Sequence, residues 1–206
     1  MSNKTASWAY AEENSRQSEV ALHAREISEE LGLEPVSVAT GALLRTLAAS
    51  AKTIAEIGTG AGVSGLFLLE AGTNSKLTSI DTDTEAQSHA REFFAAANLA
   101  SSRYRVINGR SADLLPRLAG NTYDLVFVDG DPLEAEGDVA EAIRMLRPGG
   151  ILALARALYA DRVADPARRD ERTVALRNLG ITLLESEEVT ASIVPIGDGL
   201  IIAVKN

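Results

Sequence analysis

Thr53-Ile54-Ala55-Glu56-Ile57-Gly58-Thr59-Gly60-Ala61-Gly62-Val63-Ser64 is the stretch that decides how the rest of the chain reads. An apolar run ends at Ile57, a turn carries glycine at 58, 60 and 62, and a helix pattern opens at Ser64. Glycine turns tightly and lets a ligand approach the backbone without meeting a Cβ. The helix behind such a turn offers unpaired N–H groups and a positive dipole end to a carboxylate or a phosphate. Asp81 closes the next apolar run, near the position, about 20 residues on, where a ribose-reading acid is expected. Glu56 stands inside the first strand, where a carboxylate is costly without a partner. The cationic amine of a bound amino-acid moiety would be such a partner.

The same residues leave a rival open. Gly60-Ala61-Gly62-Val63-Ser64-Gly65 also fits G-x-G-x-x-G, the pattern of a dinucleotide-binding oxidoreductase. Three features favour a nucleoside carrying an amino acid instead: Gly58 is already the first turn residue, Glu56 lies in the strand, and 206 residues leave little room for a separate dehydrogenase domain. No Tyr-x-x-x-Lys pair of the short-chain type occurs.

Outward from the turn, apolar runs recur at 76–80, 104–107, 123–128 and 151–154, with helix patterns at 64–71, 85–98, 112–118 and 134–146 between them. Short strands apolar on both faces and separated by helices predict a parallel sheet covered on both sides. Pro148-Gly149-Gly150 turns the chain into the fifth strand. An Arg-rich helix is expected over 166–179, with Asp165 before Pro166 as its N-cap. Runs at 189–195 and 200–204 flank Gly197-Asp198-Gly199 and predict a hairpin. Upstream, helices are expected over 11–31, ended by Gly32 and Pro35, and over 38–51, with Trp8 and Tyr10 ahead of the first. The expected fold is therefore α/β: a Rossmann-like, doubly wound, mostly parallel seven-stranded sheet with an antiparallel C-terminal hairpin. One domain over 1–206 is expected, with a helical appendage at 1–51 and a nucleoside-binding core at 52–206.

Composition narrows the partners. Hydrophobic residues make up 46% of the chain, enough for a full core. The net charge of −9 argues against nucleic acid and anionic membranes as partners. Cysteine is absent, which excludes disulfides and thiolate metal sites. The longest stretch free of Asp, Glu, Lys and Arg, 57–69, is too short to span a bilayer. The first residues lack the apolar core of a signal peptide, so a cytoplasmic location is expected.

In this order, Glu56-Ile57-Gly58-Thr59-Gly60 with Ser64, Ile80-Asp81, Asn108-Gly109-Arg110-Ser111-Ala112-Asp113-Leu114-Leu115-Pro116, Tyr123-Asp124-Leu125-Val126-Phe127-Val128-Asp129, Leu146-Arg147-Pro148-Gly149-Gly150 and Pro195-Ile196-Gly197-Asp198-Gly199 resemble the class I S-adenosylmethionine-dependent methyltransferases. More narrowly, they resemble the catechol and caffeoyl-CoA type of O-methyltransferase. The resemblance implies S-adenosylmethionine as cofactor, a small hydroxylated molecule as methyl acceptor, and a homodimer. It implies that Gly58, Gly60 and Ser64 hold the methionine moiety with Glu56 nearby. Asp81 would take the ribose hydroxyls with Thr82 beside it. Gly109, Arg110 and Ser111 would flank the adenine, and Asp129 would face the amino group and the reaction site.

That family commonly uses a divalent metal, held by an Asp after the fourth strand and an Asp-Asn pair after the fifth, with a Lys as base. Here Asp129 matches the first ligand, but Ala155-Arg156 stands where the pair belongs and Pro132 where the Lys belongs. A dication wants several hard oxygen ligands, and a guanidinium at its position would repel it. The expectation is an O-methyltransferase without that metal. Arg156 would supply positive charge, and Asp129 or Asp131 would be the candidate base. A catalytically degenerate S-adenosylmethionine-binding protein is the alternative.

Overall fold

A computed structural model describes residues 4–206. Seven strands form one sheet in the order β3-β2-β1-β4-β5-β7-β6. They are β1 (Thr53–Ile57), β2 (Lys76–Asp81), β3 (Tyr104–Asn108), β4 (Tyr123–Val128), β5 (Leu146–Ala155), β6 (Val189–Val194) and β7 (Leu200–Lys205). The first five run parallel. β7 lies antiparallel to β5, and β6 antiparallel to β7. The expected seven-stranded sheet with its terminal hairpin is thus present.

Chain order reverses between β1 and β4, which pair in register from Ile54↔Leu125 to Ile57↔Val128. Helices leave opposite faces of the sheet on either side of such a point, opening a crevice at the C-terminal strand ends. Every predicted site residue lies at or near those ends. The central strands are buried on both faces: Leu125, Val126, Phe127 and Val128 are all inaccessible to water. One face carries α7 (Ala135–Met145) and α8 (Glu171–Glu185), and the other carries α2 (Glu19–Glu30), α3 (Val38–Ala48), α4 (Val63–Glu70) and α5 (Thr84–Ala96). Phe94, fully buried on α5, packs edge-on against Tyr104.

Several boundaries differ from the sequence reading. The single helix expected over 11–31 is two, α1 (Lys4–Glu13) and α2, with Trp8 and Tyr10 inside α1 and largely exposed. Ser18 divides them. Its Oγ accepts from the Ala21 N–H as an N-cap and donates to Glu70 at 2.7 Å. Glu12 in turn takes the Val38 and Ala39 N–H groups, capping α3 from outside its own sequence. α8 starts five residues later than Asp165-Pro166 suggested. Asp170 is its cap, accepting from both the N–H and the hydroxyl of Thr173. The helix expected over 112–118 is one turn, α6 (Ser111–Leu114), followed by a tighter turn at Pro116. β5 begins earlier than 151, and its register against β4 shifts between Tyr123 and Leu125 to absorb Pro148-Gly149-Gly150.

Candidate functional site

The glycine-rich turn is shaped by two close approaches. Gly58 has φ +94°, and a Cβ there would sit 2.3 Å from the Asp129 carbonyl oxygen. Its N–H donates to Ile80 O while Asp129 N–H donates to Ile57 O, so three strand ends are tied at one level. Gly62, φ +92°, opens α4 where a Cβ would press on Ala90 at 2.9 Å. Asp81 is drawn beside this turn: its carboxylate accepts from Gly60 N–H at 2.9 Å and from Asp83 N–H at 3.0 Å.

Glu56 lies beneath the turn and is wholly buried. The sequence reading gave it a ligand amine as partner. The structure gives it two hydroxyls, Ser64 and Ser79, each donating at 2.6 Å, with Thr59 Oγ1 2.6 Å from Ser79 Oγ. Burial pushes its pKa up to about 7, and the two hydroxyls only partly offset that. The folded state therefore holds this proton more tightly than the unfolded chain. Stability falls as pH rises from about 4.5 to about 7. At 1.36 kcal/mol per unit, the cost at pH 8 is roughly 3 kcal/mol. Glu56→Gln should therefore gain stability relative to wild type between pH 5 and pH 8, by up to that amount. Urea unfolding of both proteins at the two pH values checks it, and an unchanged difference would refute the account.

Two adjoining hollows cross the strand ends. One, of about 130 Å³, is lined by Gly58, Gly60, Ser64, Asp81, Asp129 and Arg156, and roofed by Leu33, Glu34, Pro35 and Val36. The next, of about 230 Å³, shares Gly58, Asp81 and Asp129 and adds Thr82, Gly109, Ser111 and Asp131. Ten of the twelve predicted site residues thus line one continuous groove. Glu56 lies behind its wall, and Arg110 turns outward to an exposed ion pair with Glu134 at 2.6 Å. A third hollow, of about 350 Å³, opens beyond Asp129 and Arg156 toward Thr40 and Asp198. Its rim is the loop after β5, where Arg156, Tyr159, Ala160 and Asp161 all take positive φ, a conformation costing bulky residues of order 1 kcal/mol each.

Asp129 and Arg156 meet where the hollows join. Arg156 Nε donates to Asp129 Oδ1 at 2.7 Å, and its other nitrogens reach Glu34 Oε2 at 2.9 Å and Glu34 O at 3.0 Å. Burial raises the Asp129 carboxyl to about 6, against the pull of Arg156. Asp131 differs: it is half-exposed, and a hydrogen bond from Arg172, 3.0 Å away, holds it below its ordinary value. A divalent metal does not fit these donors. The guanidinium already occupies the Asp129 carboxylate and also takes Glu34 Oε2, and the neighbouring strand residue is Ala155. Among the described residues no three His, Cys, Asp or Glu side chains converge as a metal site.

Sequence reasoning missed Glu34, Ser79 and the roof segment 33–36. No local pattern marks them, because each acts on residues far away in the chain. The first is tied to Arg156 across 122 positions.

A family model described as O-methyltransferase matches residues 13–206. The chain belongs to the O-methyltransferase family. Its relatives in that family include a protein of Mycobacterium leprae (strain TN), named as an O-methyltransferase, 43% identical over 201 residues, 96% of this chain and 90% of that one. One of Mycobacterium bovis (strain BCG / Pasteur 1173P2) is 42% identical over 202 residues, covering 97% and 90%. Among solved structures, a Corynebacterium glutamicum protein superposes with a TM-score of 0.91 at 33% identity, over 99% of this chain and 97% of that one. The O-methyltransferase TomG of Streptomyces achromogenes, solved in complex with S-adenosylmethionine, gives 0.86 at 25% identity over the full length of both. No helix among the described residues is long and apolar enough to cross a membrane.

Proposed function

We propose that this family member transfers a methyl group from S-adenosylmethionine to a hydroxyl of a small acceptor, and does so without the metal that the resemblance implied. The observation that carries the reading is the Arg156–Asp129 pair, a largely buried acid and a guanidinium at the junction of the groove across the strand ends and a separate hollow. TomG, similar over its whole length, is described with S-adenosylmethionine bound. In this chain Gly58, Gly60 and Ser64 take the methionine moiety and Asp81 takes the ribose hydroxyls. Thr82, Gly109 and Ser111 border the adenine, and Arg110 with Glu134 stands outside it.

When bound, the cofactor supplies an electrophilic methyl group on sulfur. Asp129 is the group placed to accept the proton of the acceptor hydroxyl, whose oxygen would take the methyl group as the sulfonium is relieved of it. A base titrating near the working pH is the efficient one, which favours Asp129 over Asp131. Arg156 keeps Asp129 oriented and offsets negative charge developing beside it. The backbone of the turn and the loop 33–36 exclude water and align the reactants, the largest expected source of rate.

S-adenosylhomocysteine at one hundred times its Kd should stabilise the protein by about 2.7 kcal/mol, raising Tm, whereas NAD should not shift it. With radiolabelled S-adenosylmethionine and a panel of small phenols, transfer should persist in excess EDTA and change less than about twofold on adding Mg²⁺, because no dication is asked to orient the hydroxyl. Activity abolished by chelator and restored by Mg²⁺ would overturn the metal-free reading.

A further inference from the structure

Asp138, on the inner face of α7, has no part in the chemistry described so far. It is 3% exposed, and its Oδ2 has no hydrogen-bond partner in the structure. A buried acceptor left unpaired is unfavourable and is rarely kept without a use. The direction of this oxygen indicates what the use is. A Cβ on Gly130 would lie 3.3 Å from it and equally close to Ile57 Cγ2, so Oδ2 faces the end of β4 and the groove above it. Asp138 lines the same hollow as Ile57, Ile80, Gly109 and Ser111. The two isoleucines offer apolar surface to a flat ring, while Gly130 keeps the approach to the carboxylate free of a side chain. Burial raises the Asp138 carboxyl above its ordinary value, with the Ser111 side chain acting in the opposite sense.

We propose that Asp138 reads the 6-amino group of the adenine ring, accepting its N–H at Oδ2 and so selecting a 6-amino purine over a 6-oxo one. This assignment rests on the cofactor reading above. A 6-amino group presents a donor to the unpaired acceptor. A 6-oxo group presents a second acceptor and leaves both unsatisfied, which is the stronger basis for discrimination.

Calorimetric titration with S-adenosylhomocysteine and its 6-oxo analogue, S-inosylhomocysteine, tests it. Wild type should bind the adenosyl compound at least about tenfold more tightly. In Asp138→Ala that ratio should fall to within about twofold, through weaker adenosyl binding and through tighter inosyl binding once the facing acceptor is gone. Affinity for the inosyl compound, retained or raised, shows that the variant is folded. Asp138→Asn, which keeps the shape, should also reduce the ratio and serves if the alanine variant does not fold. An undiminished ratio in the variants overturns the Asp138 assignment alone. Failure of wild type to bind either compound overturns the cofactor reading and this inference together.

Discussion

Asp129→Asn is expected to lower the rate of methyl transfer by roughly 10²- to 10⁴-fold, the span associated with loss of a positioned general base. The amide keeps the size of the side chain and can still accept from Arg156 Nε, now 2.7 Å from Oδ1. It cannot take a proton. The loss should therefore fall on kcat, with the Kd for S-adenosylhomocysteine changing far less. The wild-type pH profile offers a second check. Burial raises the Asp129 carboxyl to about 6, so kcat/KM should climb as pH rises through that value and then level. The variant should lack that limb. Single-turnover transfer measured from pH 5 to pH 8 distinguishes the outcomes. A variant within threefold of wild type, or one keeping the acid limb, would remove Asp129 from the chemistry.

Gly58→Ala should destabilise the protein by about 4 kcal/mol or more, the range reserved for gross local conflict. Two costs add. The residue sits at φ +94°, where a Cβ is strained, and the methyl would stand 2.3 Å from the backbone carbonyl of Asp129. The two backbones are held close there, because Asp129 N–H and Gly58 N–H are both bonded to neighbouring strand ends. Gly60→Ala is the matched control. Its φ is +48° and the nearest atom to a new Cβ is Leu33 Cδ1 at 3.8 Å, so only the conformational cost of about 1 kcal/mol applies. For a chain of this size, 1 kcal/mol moves Tm by about 2–4 °C. The Gly58 variant should then melt about 10 °C or more lower, or fail to fold, and the Gly60 variant only a few degrees lower. Equal shifts for the two would show that the close approach of β1 and β4 is not what demands glycine.

The parts legible in the sequence were those fixed by local patterns. Runs such as Tyr123–Val128, short and set between helix patterns, read as strands buried on both faces, and the spacing from Gly58 to Asp81 places turn and acid together. The resemblance located Arg156 opposite Asp129, and the two do meet. What sequence could not give were partners chosen by the fold. Glu56 reads as an acid awaiting a cation, yet Ser64 and Ser79 satisfy it, and Ser79 belongs to a different strand. Asp165-Pro166 looks like a helix start, but Asp170 wins because Thr173 answers it with both its N–H and its hydroxyl. The break at Ser18 carries no glycine or proline. It is stabilised by Glu70, 52 positions away.

The link between Glu34 and Arg156 has a temporal consequence. It spans 122 positions and closes the roof over the glycine-rich turn. Translation delivers that turn early, but its cover cannot form until residue 156 has left the ribosome and β5 has joined the sheet. Contacts of such long separation form late in folding. A nascent or truncated chain would thus display the signature turn without retaining a nucleoside. The cofactor can reward completion of the fold but cannot act as a scaffold for its first steps.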